Sequence, residues 1–225
     1  METPKIIHFL WLNFNNNSDG IIDTTLSFFI DRIKELHPDY EINFIHNWDK
    51  CMESINDEYS WIKHIIINKN IGGAHKSDVL RFYYLYTMGG VWVDISTFLV
   101  TSFDELVLNN KNGFTCYYVP YKLCQSWMIK PYSTLYDLIP IEEYINLLQY
   151  CSDLNSKYNK FTFIPENYFC ISQKNHPIPF NVLKMFSEFY SQDMSSKEKV
   201  KIANNLYIFD LCSKIYFFPL LAKVE

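Results

Sequence analysis

The stretch GGAHKSDVLRFYYLYTMGGVWVDISTFLV, residues 72–100, carries the clearest structural pattern in the chain. From about Lys76 to Met88 its apolar side chains recur every three or four residues, which predicts a helix with one buried face. Gly89 supplies a residue that readily adopts the left-handed conformation at which helices end. The β-branched and aromatic run at 91–100 predicts a strand, so a helix leads directly into a strand.

The residues before this stretch alternate between strand and helix patterns. Residues 5–12 form a continuous apolar run typical of a strand covered on both faces. A helix is expected over 23–36, a strand over 41–48 and a further helix over about 56–68. This alternation predicts an α/β fold with a mainly parallel sheet flanked by helices.

The second half of the chain has weaker patterns. Strands are expected over 114–119, 161–164 and 206–209, and helices over about 134–150 and 179–190. The sequence has no linker rich in proline, glycine and serine, so we expect a single domain over residues 1–225.

Composition excludes several classes of protein. The 225 residues are 48% hydrophobic and carry a net charge of −5, which fits a globular protein and disfavours binding to nucleic acid or anionic lipid. No run approaches the roughly 18 apolar residues of a membrane span, and the amino terminus does not resemble a secretory signal. The six cysteines form no CxxC pair, so we expect reduced thiols and a cytoplasmic location, in the host cytoplasm if the protein is viral.

Polar residues collect where the predicted parallel strands end. Trp11 closes the first strand and Asp94 closes the strand VWVD, while Asp78 and Arg81 share one face of the preceding helix. Arginine is rare here, since only Arg32 and Arg81 stand among 20 basic residues. Carboxylates beside an arginine suit a polyhydroxylated ligand such as a sugar; the alternative is an ordinary ion pair on a helix.

Two segments resemble glycosyltransferase family 32 and the related capsular polysaccharide synthesis proteins. They are PKIIHFLWLN and AHKSDVLRFYYLYTMGGVWVDIST, the second containing Ala-x-x-Ser-Asp-x-x-Arg, Gly-Gly and an Asp-x-Ser element. The catalytic core of the clostridial glucosylating toxins is similar at the same places. The resemblance implies a GT-A fold, with a nucleotide-sugar-binding half over about 1–110 and a smaller α+β acceptor-binding half over about 111–225.

The resemblance also implies roles for particular residues. Trp11 would stack on the donor base, with the backbone of Leu10 and Leu12 fixing the edge of that base. Asp78 and Arg81 would hold hydroxyls of the donor sugar, and Asp94, after the aromatic Trp92, would contact the ribose or sugar. The catalytic set expected from this pattern is Asp78, Arg81 and Asp94.

A divalent metal, Mn²⁺ or Mg²⁺, would lie across the diphosphate, held in part by Asp94. The second acidic position of the usual Asp-x-Asp is Ser96 here, and a hydroxyl is a weaker ligand for a hard cation than a carboxylate. His176 is the candidate for a further metal or phosphate contact, with a histidine in a surface turn as the alternative.

The segment around residue 126 resembles the region behind the acceptor pocket of the family. Gln125, Ser126 and Trp127 would therefore line the donor site, although the composition slightly favours Trp127 as an aromatic core residue.

The function expected is transfer of a hexose or deoxyhexose from a nucleotide-diphosphate sugar, UDP-linked by preference, to a carbohydrate acceptor. The resemblance favours retention of configuration; an inverting enzyme would need a base such as Asp104, Asp137 or Glu166. The alternative is a catalytically impaired protein that binds a nucleotide sugar or a carbohydrate. A glycoside hydrolase, which needs two carboxylates flanking the scissile bond, fits less well.

Overall fold

The computed structural model describes residues 2–69, 71–120 and 163–191. The chain divides into two compact units, one of Met1–Tyr117 with Asn167–Tyr190 and one of Tyr118–Glu166 with Ser191–Glu225. Nearly all of the described residues belong to the first unit. The predicted helix at 134–150 and strand at 206–209 lie outside them.

Strands and helices alternate through most of the first unit. The described elements are, in order, β1 (Ile6–Leu10), β2 (Leu12–Asn13), β3 (Ser18–Asp19), α1 (Thr24–Leu36), β4 (Glu41–Ile45), α2 (Trp48–Ser54), a 3-10 turn (Asp57–Tyr59), α3 (Ser60–Ile67), α4 (Gly73–Thr87), β5 (Gly90–Val93), α5 (Asp104–Leu108), β6 (Phe114–Pro120), β7 (Phe163–Ser172) and α6 (Pro177–Ser191).

Five strands form one mixed sheet in the order β4-β1-β5-β7-β6, and β2 pairs with β3 in a separate antiparallel hairpin. Strands β4, β1 and β5 are parallel, whereas β7 runs antiparallel to β5. The predicted α/β class, with a mainly parallel sheet core flanked by helices, is confirmed. No helix within the described ranges is long and apolar enough to cross a membrane.

The two faces of the sheet differ in chemistry because successive side chains of a strand point to opposite faces. One face is apolar and packs against α1, with Phe9 meeting Phe29 of that helix edge to face. The opposite face carries a row of paired residues from four neighbouring strands. In strand order the row is Asn43, His8, Trp92 and Cys170.

Helix α4 covers this second face. The Tyr84 ring stacks on His8, and the Arg81 guanidinium lies 5.3 Å from the centre of the Trp92 ring. The turn from α4 into β5 uses Gly89 and Gly90, both at positive φ, where an added Cβ would clash with neighbouring backbone. His8 Nε2 donates a hydrogen bond of 2.7 Å to the Gly89 carbonyl and Nδ1 accepts one from Asn43, so the neutral imidazole fixes this turn.

Several boundaries differ from those predicted. The strand expected to run to residue 100 ends at Val93, because the chain turns: the Thr97 N–H donates back to the Asp94 carbonyl. Helix α4 begins at Gly73, three residues before the predicted start. The strand expected over 41–48 ends at Ile45, since Asn47 caps the unpredicted helix α2 by accepting from Lys50 N–H.

The remaining boundaries lie closer to expectation. Helix α1 begins after Asp23, whose side chain caps it by accepting from Leu26 N–H at 2.8 Å. Strand β1 ends at Leu10 rather than residue 12, so Trp11 directly follows the strand. Strand β7 extends well beyond the predicted 161–164.

We predict that acid destabilises the protein partly through His8. Burial lowers the pKa of His8 to about 4 from an ordinary value of 6.5, although its bond to Gly89 opposes the shift. Between these two values the unfolded chain binds a proton that the folded chain excludes, so the free energy of unfolding falls as pH drops, by about 3 kcal/mol in all.

Urea unfolding of wild type and His8→Gln between pH 7 and pH 4.5 measures this contribution. The variant is less stable at pH 7 but should lose less stability on acidification. Burial also lowers the pKa of His37 and of His176, so the unfolding free energy of the variant still depends partly on pH. Equal slopes for the two proteins would contradict the prediction.

Candidate functional site

The carboxyl ends of the three parallel strands lie at one edge of the sheet. Strand β1 ends at Leu10 and β5 ends at Val93, so Trp11 and Asp94 both follow strands at this edge. The Asp94 N–H donates to the Tyr168 carbonyl at 2.8 Å, which fixes the start of the turn. In open α/β sheets, ligands bind at this kind of edge.

A buried arginine connects α4 to the end of β5. Arg81 Nη1 donates to Asp78 Oδ1, and Nη2 donates to Asp94 Oδ1 at 2.6 Å. Trp92 Nε1 donates to the same Asp94 oxygen at 2.7 Å. The Arg81 side chain is only 3% exposed. The ion pair on α4, which was the alternative interpretation of Asp78 and Arg81, therefore exists, but it is buried and extends to a second carboxylate beyond the helix.

The electrostatics of this cluster keep the guanidinium charged. Burial by itself lowers the pKa of Arg81, but the carboxylates of Asp78 and Asp94 outweigh it and raise the pKa above its usual value. Burial raises the pKa of the Cys170 thiol well above its usual value, although Arg81 opposes this shift. Cys170, which pairs with Trp92 in the sheet, is therefore a neutral thiol and does not act as a third anion beside Arg81.

Asp94 presents an oxygen to the edge of the sheet. Its two side-chain hydrogen bonds, from Arg81 and Trp92, both fall on Oδ1, and within the described ranges none falls on Oδ2. The Asp94 side chain is 29% exposed, against 13% for Asp78. The carboxylate is held at one oxygen and open at the other, which suits it to accept a hydrogen bond from a ligand hydroxyl.

A small polar cavity of about 150 Å³ lies beside Asp94. Its lining combines strand ends with the first turns of α4: Leu10, Ser77, Trp92, Asp94, Ile95 and Ser96. Four of these residues were predicted as site residues. Ser77 was not assigned a role, although it stands directly before Asp78 in the Ala-x-x-Ser-Asp pattern that signalled the site.

Trp11 lies at the same edge and is 42% exposed. Its backbone N–H donates to the Ile45 carbonyl at 2.9 Å, and its indole Nε1 donates to the Ile21 carbonyl at 2.8 Å. Leu12 belongs to the β2–β3 hairpin, where it pairs with Asp19. An exposed indole anchored at its nitrogen offers a fixed aromatic surface to a ligand.

The described residues do not make a complete metal site. They include no group of three His, Cys, Asp or Glu side chains that could hold an ion. Ser96 is exposed and adds a hydroxyl near Asp94 at the cavity. One open carboxylate oxygen and one hydroxyl are fewer protein ligands than a closed site for a hard cation requires.

The prediction that His176 joins this metal site does not fit the structure. Ser172 pairs with Gly90, the first residue of β5, so β7 ends at the opposite edge of the sheet from Asp94. His176 follows that end and is buried, which also excludes the surface turn. Its Nε2 donates to the Asn112 carbonyl and its Nδ1 accepts from Ile178 N–H. Both ring nitrogens are used in holding the chain.

The predicted donor-site residues Gln125, Ser126 and Trp127 lie outside the described residues. Asp104, a candidate base for an inverting reaction, is described and lies beside His37, with its Oδ1 3.5 Å from Nδ1 of that ring. His37 precedes β4 by four residues and so lies towards the amino ends of the parallel strands. Asp104 is therefore not part of the cluster around Asp94.

Comparison with known proteins supports a sugar-transfer chemistry. Residues 24–112 match the family model described as "Glycosyltransferase sugar-binding region containing DXD motif", a match over less than half of the chain. None of the curated proteins matches the chain. Among solved structures, the chain is similar to the PaToxG glycosyltransferase, with 15% identity, a TM-score of 0.47, and coverage of 99% of this chain and 76% of that one. The match over residues 24–112 supports a transferase enzyme of the glycosyltransferase type.

Proposed function

We propose that the protein is a glycosyltransferase that moves a hexose or deoxyhexose from a nucleotide-diphosphate sugar, with UDP as the nucleotide, to a carbohydrate acceptor. The observation that carries this proposal is the Asp94 carboxylate, held at Oδ1 by Arg81 and Trp92 and open at Oδ2 beside a cavity. The match of residues 24–112 to a sugar-binding region of glycosyltransferases supports the same conclusion.

The donor site extends beyond the cavity. A cavity of about 150 Å³ is smaller than the roughly 300–1,000 Å³ of a typical ligand pocket, so it accommodates only part of a nucleotide sugar. We assign the sugar or ribose to Asp94 and the cavity beside it. The base stacks on the exposed indole of Trp11, at the same edge of the sheet.

Arg81 acts on the ligand through Asp94. Both of its terminal nitrogens donate to carboxylates and its side chain is almost wholly buried, so it does not hold sugar hydroxyls directly. It fixes the orientation of Asp94 through a charge-assisted hydrogen bond to Oδ1. Asp78 anchors the other end of the guanidinium.

The chemistry we propose is retaining transfer. The bond between the anomeric carbon and the diphosphate oxygen breaks, a bond to the acceptor oxygen forms on the same face, and the departing diphosphate takes the acceptor proton. This route needs no protein base, in keeping with the position of Asp104 away from Asp94. Asp94 orients the donor for this step.

Asp94→Asn tests the proposal. The substitution keeps the shape of the side chain but removes the charge that pairs with Arg81, so we expect turnover of the UDP-sugar to fall about 100-fold or more while the fold persists. Donor hydrolysis and transfer to mixed carbohydrate acceptors are measured, with circular dichroism as a check of folding. Asp31→Asn, an exposed carboxylate on α1, is the matched control and should retain full activity.

An unchanged rate for Asp94→Asn would contradict the assignment. Binding of UDP-sugar by the wild type with no turnover under any acceptor would instead favour the non-catalytic binding protein.

Arg81→Lys tests the role of the guanidinium. A lysine ammonium cannot reproduce two donors directed at two carboxylates, so we expect a loss of about 3 kcal/mol in unfolding free energy and a fall in turnover. Arg32→Lys is the comparison variant, because Arg32 is the other arginine, is partly exposed and pairs with one carboxylate, so the loss of stability and turnover should be smaller. Equal effects of the two substitutions would contradict the special role of Arg81.

Ser96→Asp tests metal assistance. A second carboxylate beside Asp94 should strengthen Mn²⁺ binding and make UDP affinity more sensitive to a chelator than in the wild type. Titration calorimetry with UDP in Mn²⁺ and in chelator measures this, with exposed Thr101→Asp as the control. If Mn²⁺ changes UDP affinity in neither the wild type nor Ser96→Asp, a metal site beside Asp94 and Ser96 is excluded.

A further inference from the structure

The chain segment that crosses Trp11 is held unusually tightly against it. We call residues 19–21 the clamp segment. A Cβ added to Gly20 would lie 1.7 Å from the Trp11 carbonyl oxygen and 2.6 Å from Cδ1 of its indole. Real Cβ atoms do not approach other heavy atoms this closely, so no side chain fits at position 20 without displacing Trp11 or the clamp segment. Glycine is needed here for close approach rather than for a positive φ.

Hydrogen bonds fix the clamp segment on both sides of Gly20. The Ile21 carbonyl accepts the indole N–H of Trp11, and Gly20 N–H donates to the His46 carbonyl. Asp19 accepts from Trp48 N–H at 2.7 Å and from the Asn47 side chain at 3.0 Å, which ties the segment to the start of α2. These bonds prevent the segment from moving away from Trp11 independently.

The contacts reach only one edge of the indole. Cδ1 and Nε1 are adjacent atoms of the five-membered ring, and they face Gly20 and the Ile21 carbonyl respectively. The residue nevertheless remains 42% exposed. The clamp segment therefore fixes the orientation of the ring while leaving part of its surface accessible at the ligand edge of the sheet.

We propose that Gly20 is a positioning residue for nucleotide binding: by admitting the clamp segment against Trp11, it sets the indole for stacking with the donor base. This inference rests on the proposed function and adds to it the residue that prepares the base-binding surface. An aromatic ring whose orientation is already fixed loses no further side-chain entropy when the ligand binds, which favours affinity.

Gly20→Ala tests the inference by UDP titration calorimetry. We expect UDP binding about tenfold weaker, the scale of a lost contact between a base and an aromatic ring. In donor hydrolysis the KM should rise while kcat stays within about twofold, because Gly20 does not touch the reacting atoms. Gly72→Ala is the control: Gly72 is exposed with φ −64, so alanine fits and UDP affinity should not change.

The same substitution in a Trp11→Ala background shows whether the effect passes through the indole. Gly20→Ala should then add no further loss of UDP affinity. Asp19→Asn is a second variant that loosens the tie to α2 without adding a Cβ, and it should weaken UDP binding in the same direction.

The outcomes separate the two proposals. A wild type that binds no UDP overturns the proposed function and this inference together. UDP binding by the wild type with unchanged affinity in Gly20→Ala and Asp19→Asn overturns the inference alone, as does an equal loss with and without Trp11.

Discussion

The site depends on one buried positive charge. A guanidinium removed from water is tolerated only where carboxylates and hydrogen bonds compensate for its lost hydration, and Arg81 finds them at Asp78 and Asp94. One partner lies on α4 and the other just beyond β5. The requirement to neutralise Arg81 therefore sets how the helix, the strand end and the Asp94 carboxylate lie relative to one another.

The two arginines of the chain stabilise opposite ends of one loop. Arg81 holds Asp94 at its start, whereas Arg32 donates from Nε to the Leu99 carbonyl and from Nη2 to the Val100 carbonyl. Lysine, the common cation in this sequence, lacks the planar array of donors that both tasks use. The loop that carries Ser96 is thus fixed at both ends by side chains from two different helices, α4 and α1.

Local patterns predicted the site better than its surroundings. The positions of Trp11 and Asp94 at one edge follow from parallel strands, which periodicity alone indicates. The edge to which His176 belongs depends on the direction of β7, and nothing in the sequence near His176 encodes that direction. Helix α2 was missed because its seven residues are too few for a periodic signal, and the one cue is the capping Asn47. Ser77 carries no charge, so on α4 it gives no signal comparable with those of Asp78 and Arg81.

The row of Asn43, His8, Trp92 and Cys170 across the sheet has a consequence for folding fidelity. If any of these strands slipped by one residue, its member of the row would turn to the apolar face beneath α1, and an apolar neighbour would replace it beneath α4. For His8 such a slip would break both ring hydrogen bonds inside a hydrocarbon environment. The row of partly polar side chains across the sheet thus disfavours shifted strand registers. The correct register is also what brings Leu10, Trp92 and Asp94 to one cavity.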